Sequence, residues 1–219
     1  MAAVDLISRP AACQPVITIQ ARGCSVETVL RCNDPAGWPW RAEVHDAEGL
    51  RYVSSFTKDF VQVQVSLPGI ALAFDYDPSQ SSSTAPSEMA ETGHGVERVK
   101  GFMSLGDQSL TVMTYNEITR VAALEVDGRD LVSFRVVGTR TTTPPLRAEP
   151  HDFMNYFDVE TGALFGGESL LPGPDGKLSL EGRPAALAFP GDPGFDAKVP
   201  VFDCGNLSFN QADEKADFS

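Results

Sequence analysis

The chain has no apolar run long enough to cross a bilayer. Its longest such tract, Leu67 to Phe74, is interrupted by Pro68 and Gly69 and stops at Asp75, whereas a spanning helix needs roughly 20 residues. No integral membrane segment is expected. Basic residues are also few: 17 Lys and Arg stand against 30 Asp and Glu, a formal charge of -13. Nucleic acid and anionic lipid are held by clustered Lys and Arg, but Arg98, Lys100, Arg120, Arg129, Arg135 and Arg140 are scattered, so no nucleic-acid partner is expected. A Walker loop, a dinucleotide fingerprint and a GxSxG elbow are all missing, and with them any sign of a nucleotide cofactor or a serine-hydrolase turn. Asp75, Tyr76 and Asp77 start like a calcium loop, yet Gln80 stands where Gly is needed and Pro86 where Glu is needed. There is no CxxC pair, and four cysteines with only three histidines make a poor zinc set. No metal or other cofactor is assigned. A basic region leading into an apolar one does not follow Met1, which leaves either a removed signal or a cytosolic protein with reduced cysteines.

What is there is ordinary globular chemistry, 42% hydrophobic and 21% charged, which argues against wholesale disorder. The cysteines are its sharpest signal. Residues 15–21 and 24–32 read as two strands joined at Arg22 and Gly23. In that register paired residue numbers sum to 45, so Ile19 faces Val26, Ile17 faces Thr28 and Cys13 faces Cys32, on a face shared with Ala21, Cys24 and Leu30. Cys24 and Cys32 lie about 26 Å apart along a strand, beyond the roughly 7 Å a bridge tolerates. The favoured connectivity is therefore Cys13 with Cys32 and Cys24 with Cys204, the second bridge tying the tail to the first hairpin. Pro15 falls where a ladder donor is expected, a conflict that a bulge would relieve.

Short alternating runs continue along the chain: 38–45, 50–57, 60–67, 96–102, 109–115, 118–126, 130–138, 152–158, 163–167 and 177–189. Turn signals separate several of them, among them Asp127 with Gly128, which sets Leu124 against Leu131. The pattern predicts an all-β fold, an antiparallel curved sheet, open barrel or sandwich, spanning residues 1–204 as a single β domain. Residues 77–95 form a long Ser- and Pro-rich loop, read as a flexible surface insertion with one short helix at 88–93. Residues 205–219 read as a frayed acidic tail.

Candidate chemistry is thin. His45, His94 and His151 each have an acidic neighbour, Asp46, Glu97 and Asp152, but exposed histidines account for the same pattern. Asp152, Asp158 and Glu160 share one hairpin and suit a soluble surface as well as a carboxylate pair. Asn206, Leu207 and Ser208 form a glycosylation sequon. Trp38, Trp40, Tyr52, Phe56, Phe60 and later aromatics, including Phe102, Tyr115, Phe134, Phe153, Tyr156, Phe157 and Phe165, would build a core or line a curved sheet around an apolar ligand.

The run Asn155, Tyr156, Phe157, Asp158, Val159, Glu160, Thr161, Gly162 resembles the aromatic, Asp and Thr-Gly hairpin of uncharacterised periplasmic proteins from proteobacteria with curved antiparallel sheets. The resemblance implies compartment and fold class and carries no site residues. The expectation is an exported protein, periplasmic or extracellular, that binds a protein partner or a small apolar ligand on a curved sheet, with its four cysteines in disulfides. The alternative is a hydrolase whose His and carboxylate groups assemble in space.

Overall fold

The first hairpin forms around its cysteines. Strands β1 (Cys13–Ala21) and β2 (Ser25–Cys32) pair antiparallel, and Cys13 is bonded to Cys32 with their Cα atoms 4.0 Å apart. Cys24 is bonded to Cys204 across a sequence separation of 180. Both expected bridges are present. The register sums to 45 only from Cys13 to Pro15; a bulge at Val16 then shifts it, so that Ile17 pairs with Val29 and Ile19 with Glu27. The turn correspondingly takes three residues, Arg22 to Cys24, with Cys24 at φ 59°. Because side chains alternate with period two, this slip moves Glu27, and not Val26, onto the face of Ile17 and Ile19.

The computed structural model describes residues 7–34, 37–69, 72–105, 108–171 and 181–205. The first sheet continues with β3 (Trp40–Asp46), β4 (Gly49–Phe56) and β5 (Gln62–Ser66). The chain then crosses to a second sheet through β6 (Leu72–Tyr76), β7 (Ser82–Ser83), β8 (His94–Leu105), β9 (Gln108–Arg120), β10 (Leu124–Val126), β11 (Arg129–Thr143), β12 (Arg147–Asp158) and β13 (Ala163–Ser169). It returns to the first sheet as β14 (Pro184–Ala188). The orders are β14-β1-β2-β3-β4-β5 and β13-β12-β11-β9-β8-β6, with β10 on β11 and β7 on β8. All pairs are antiparallel, and the whole curls into a half-barrel, an all-β fold.

Two sequence-based expectations need correction here. Residues 109–126 do not form two strands parted at Asn116. β9 runs unbroken through Asn116, which pairs with Glu97 on one side and Gly138 on the other, and the break falls after Arg120. Asparagine is a poor strand former, but its side chain here finds hydrogen-bond partners on both neighbouring sides. The last strand covers only Pro184–Ala188 of the expected 177–189; residues 177–180, the tail from 206 and its sequon lie outside the described residues. Leu124 does pair with Leu131.

The Ser- and Pro-rich segment is docked, contrary to the expectation of a flexible insertion. Asp77 accepts a hydrogen bond from the Ser79 amide (3.0 Å) and caps a 3-10 turn at Pro78–Gln80. Helix α1 (Pro86–Thr92) starts on a proline, whose missing N–H is no loss in the first turn. It ends at Gly93, whose left-handed conformation (φ 82°) lets its amide reach the Met89 carbonyl. Met89 is 3% exposed and packs with Ile118, Phe134, Val136 and Phe157. The opposite face of the second sheet at this end, with Leu131, Tyr156, Ala163 and Phe165, packs on Ile17, Ile19, Val29 and Trp40 of the first. Phe60 closes this core by stacking on Trp40 at 4.8 Å.

Candidate functional site

Away from that packed end, residues of both sheets line a cavity of about 650 Å³, a volume typical of small-molecule sites. One part of its wall is apolar: Phe56, Phe60, Val65, Leu67, Phe74, Val99, Met103 and Val112. Polar groups line it too, contributed by Glu27, Tyr52, Ser54 and Gln62 from the first sheet and Glu97, Thr114, Asn116, Arg140, Glu149, His151 and Asn155 from the second, alongside apolar Phe153, Leu164 and Phe165 of that second sheet. The wall is amphiphilic. Along β11 the residues turned to the same face run from buried Phe134 and Val136, through half-buried Gly138, to exposed Arg140. Exposed Arg140 and its cross-strand partner Glu149 thus sit at the solvent end.

Strand register assembles the central polar feature. Glu97 on β8 pairs with Asn116 on β9, Asn116 with Gly138 on β11, and Gly138 with His151 on β12. These four residues form one row across the sheet. The Asn116 amide donates to Glu97 Oε2 (2.5 Å), and its carbonyl oxygen lies 2.6 Å from His151 Nε2. With the amide committed to Glu97, Asn116 Oδ1 is an acceptor, so His151 carries a proton on Nε2. Gly138 makes the span possible. A Cβ there would collide with Asn116 Oδ1 and the Tyr115 carbonyl and come within 2.7 Å of His151 Nε2. Burial raises the Glu97 carboxyl, moderated by the Asn116 hydrogen bond and the nearby Arg140 charge. Burial and then Arg140 lower His151, favouring its neutral form.

Glu27 is the other notable group. It lines the cavity from β2 and accepts a hydrogen bond from the Gly166 amide on Oε2 (3.2 Å). Part of its surface stays open, and that surface is cavity wall. Removal from bulk water pushes its carboxyl up to about 7, against the pull of the Gly166 amide. Tyr52, in the same cross-strand row through Val44, is pushed up to about 12 by burial and by the Glu27 charge.

The histidines do not form one cluster, nor are all three exposed. His94 is exposed at the start of β8; His45 is 7% exposed on β3, lowered by burial and by Lys198, and its Nδ1 has no hydrogen-bond partner among the described residues. His45 faces the far side of the first sheet, near Glu43, where Arg9 bridges Glu43 (2.6 Å) and Asp196 (2.7 Å) and Arg41 joins Glu43 (3.2 Å). That network fastens the segments around Arg9 and Asp196 to the sheet. Of the acidic neighbours seen in sequence, Asp152 belongs to Arg135 (2.6 Å), not to His151. Asp158 is buried on Arg129 (2.7 Å) and Thr161, so it is no surface carboxylate. Glu97, assigned in sequence to His94, reaches His151 instead through Asn116. Asn116 and Glu27 carried no local motif, and only the strand register finds them. The aromatics are not all core or cavity: Trp40 and Tyr156 are core and Phe56, Phe153 and Phe165 also reach the cavity wall, but Phe102 and Tyr115 are exposed on β8 and β9.

No group of three or more His, Cys, Asp or Glu among the described residues is placed to hold a metal ion. No helix among them is long and apolar enough to cross a membrane. No protein family, curated protein or solved structure matches the chain.

Proposed function

We propose that this is a binding protein of an oxidising compartment, periplasmic or extracellular, that holds a small ligand with an apolar body and a polar group inside its curved sheet. The observation that carries the reading is the cavity of about 650 Å³ whose apolar lining adjoins a hydrogen-bonded polar row. Such a division suits an amphiphile, since the apolar part gains by leaving water and the polar groups fix orientation. Both disulfides support the compartment, as does the resemblance of the Asn155 to Gly162 hairpin to periplasmic proteins.

Titration with the neutral apolar fluorophore N-phenyl-1-naphthylamine tests the cavity. Saturable 1:1 binding that is lost when Val99→Trp fills the wall is expected; absence of saturable binding overturns the reading. Native mass spectrometry of protein from its own compartment reports any co-purifying ligand and the thiol count. Four free thiols there would refute the oxidising compartment. Hydrolysis is the second reading, favoured by the chain from Glu97 through Asn116 to His151. Turnover of 4-nitrophenyl butyrate that disappears in His151→Ala would place it first.

A further inference from the structure

We infer that the ligand carries a cationic ammonium group on its apolar body, and that Glu27 is the counter-charge that receives it. The inference rests on the cavity reading above and names the ligand class. Its basis is a contrast within the molecule. The buried carboxylates Glu43, Asp158 and Glu168 each have a guanidinium within 4.0 Å, from Arg9, Arg129 and Arg183 respectively. Glu27 has none: among the described residues its hydrogen bonding is limited to the Gly166 amide on Oε2, and the residue lines the cavity.

A carboxylate withdrawn from water without a cation is an expensive arrangement, and a glutamine would supply the Gly166 contact at no such cost. Burial raises Glu27 as described, so it stands ready to exchange its proton for a bound positive charge. The other cavity carboxylates are engaged or solvated, Glu97 by Asn116 and Glu149 at the exposed end beside Arg140. The aromatic rings of Phe56, Phe60 and Phe165 share the Glu27 cavity wall, surfaces that accept both an alkyl or aryl body and a cation. An anionic head would meet Glu27 itself. The formal sum over Glu27, Glu97, Glu149 and Arg140 is negative.

Three probes of one length test this by calorimetry at pH 8: octylammonium, 1-octanol and octanoate. On the native protein octylammonium should bind 1:1 and at least about tenfold more tightly than 1-octanol, a step typical of a charge-assisted contact, with octanoate weakest. In Glu27→Gln, an isosteric change, octylammonium should fall to the level of 1-octanol. If 1-octanol or octanoate binds the native protein as tightly as octylammonium, the cationic class is overturned while the cavity reading survives. If none of the three binds, the cavity reading fails and takes this inference with it. The ranking on the native protein decides the matter even if the variant does not fold.

Discussion

Asn116 and His151 belong to β9 and β12, strands that never pair with each other, yet their side chains meet at 2.6 Å across the bare backbone of Gly138. The contact depends on a missing side chain on the intervening strand. Gly138→Ala would put a methyl group into that hydrogen bond. We expect a loss of about 1–3 kcal/mol from overpacking and a separated polar pair, measured by urea unfolding. Asn116→Ala should make the loss from a second Gly138→Ala change smaller, because the bond is already gone.

Glu27 should make stability depend on pH in an unusual direction. The unfolded chain releases this proton near 4.5 and the folded chain near 7, so between those values the native state holds more protons. Its contribution is therefore full below about pH 4.5 and is lost as pH rises through 7. The span corresponds to about 3 kcal/mol at most. Glu27→Gln should raise the unfolding temperature at pH 8 and leave it nearly unchanged at pH 4, and equal shifts at both would disprove the assignment.

Arg9 holds two carboxylates at once, so Arg9→Ala leaves Glu43, whose side chain is 5% exposed, with Arg41 as its remaining cation. Burial alone would raise Glu43, yet Arg9 and Arg41 hold it below its usual value; Arg9 likewise lowers Asp196. The stabilisation is present at neutral pH and is lost as pH falls through the depressed carboxyl values. We expect a cost of about 1–3 kcal/mol at pH 7, since Arg41 still offsets the Glu43 charge, shrinking on acidification. Denaturant titrations of both proteins at pH 7 and pH 3 measure it.

Much of the fold was legible because alternation and cysteine geometry are local signals. Leu124 opposite Leu131 followed from the Asp127 and Gly128 turn, and Cys13 opposite Cys32 from counting along two strands. The site was not legible for the same reason. A bulge at Val16 has no mark in sequence beyond the awkward Pro15, yet it turns Glu27 from the outer face to the cavity. The alternating runs left Asn116 and Glu117 in a gap because alternation knows nothing of Glu97 and His151, which lie 19 and 35 residues from Asn116 in sequence. Acidic neighbours in sequence misled at His151, since adjacent strand residues point to opposite faces.

Met89 is the anchor of α1, and Met89→Ala should cost about 2–4 kcal/mol, in the range of other buried large-to-small changes. Hydrogen exchange should show the added mobility concentrated in 77–95, with the first sheet little affected. Uniform loosening of both sheets would contradict the docked-segment description.

The bridge from Cys24 to Cys204 turns most of the chain into a covalent ring. A protease that cuts one bond at the exposed hairpin tip around Leu146, 76% exposed, would not release a fragment; it would convert a ring into an open chain still held at the seam. The two halves would run as one band on a denaturing gel and part only when a reductant is added. In the oxidising compartment proposed above, where the bridge persists, a single nick need not end the protein's working life.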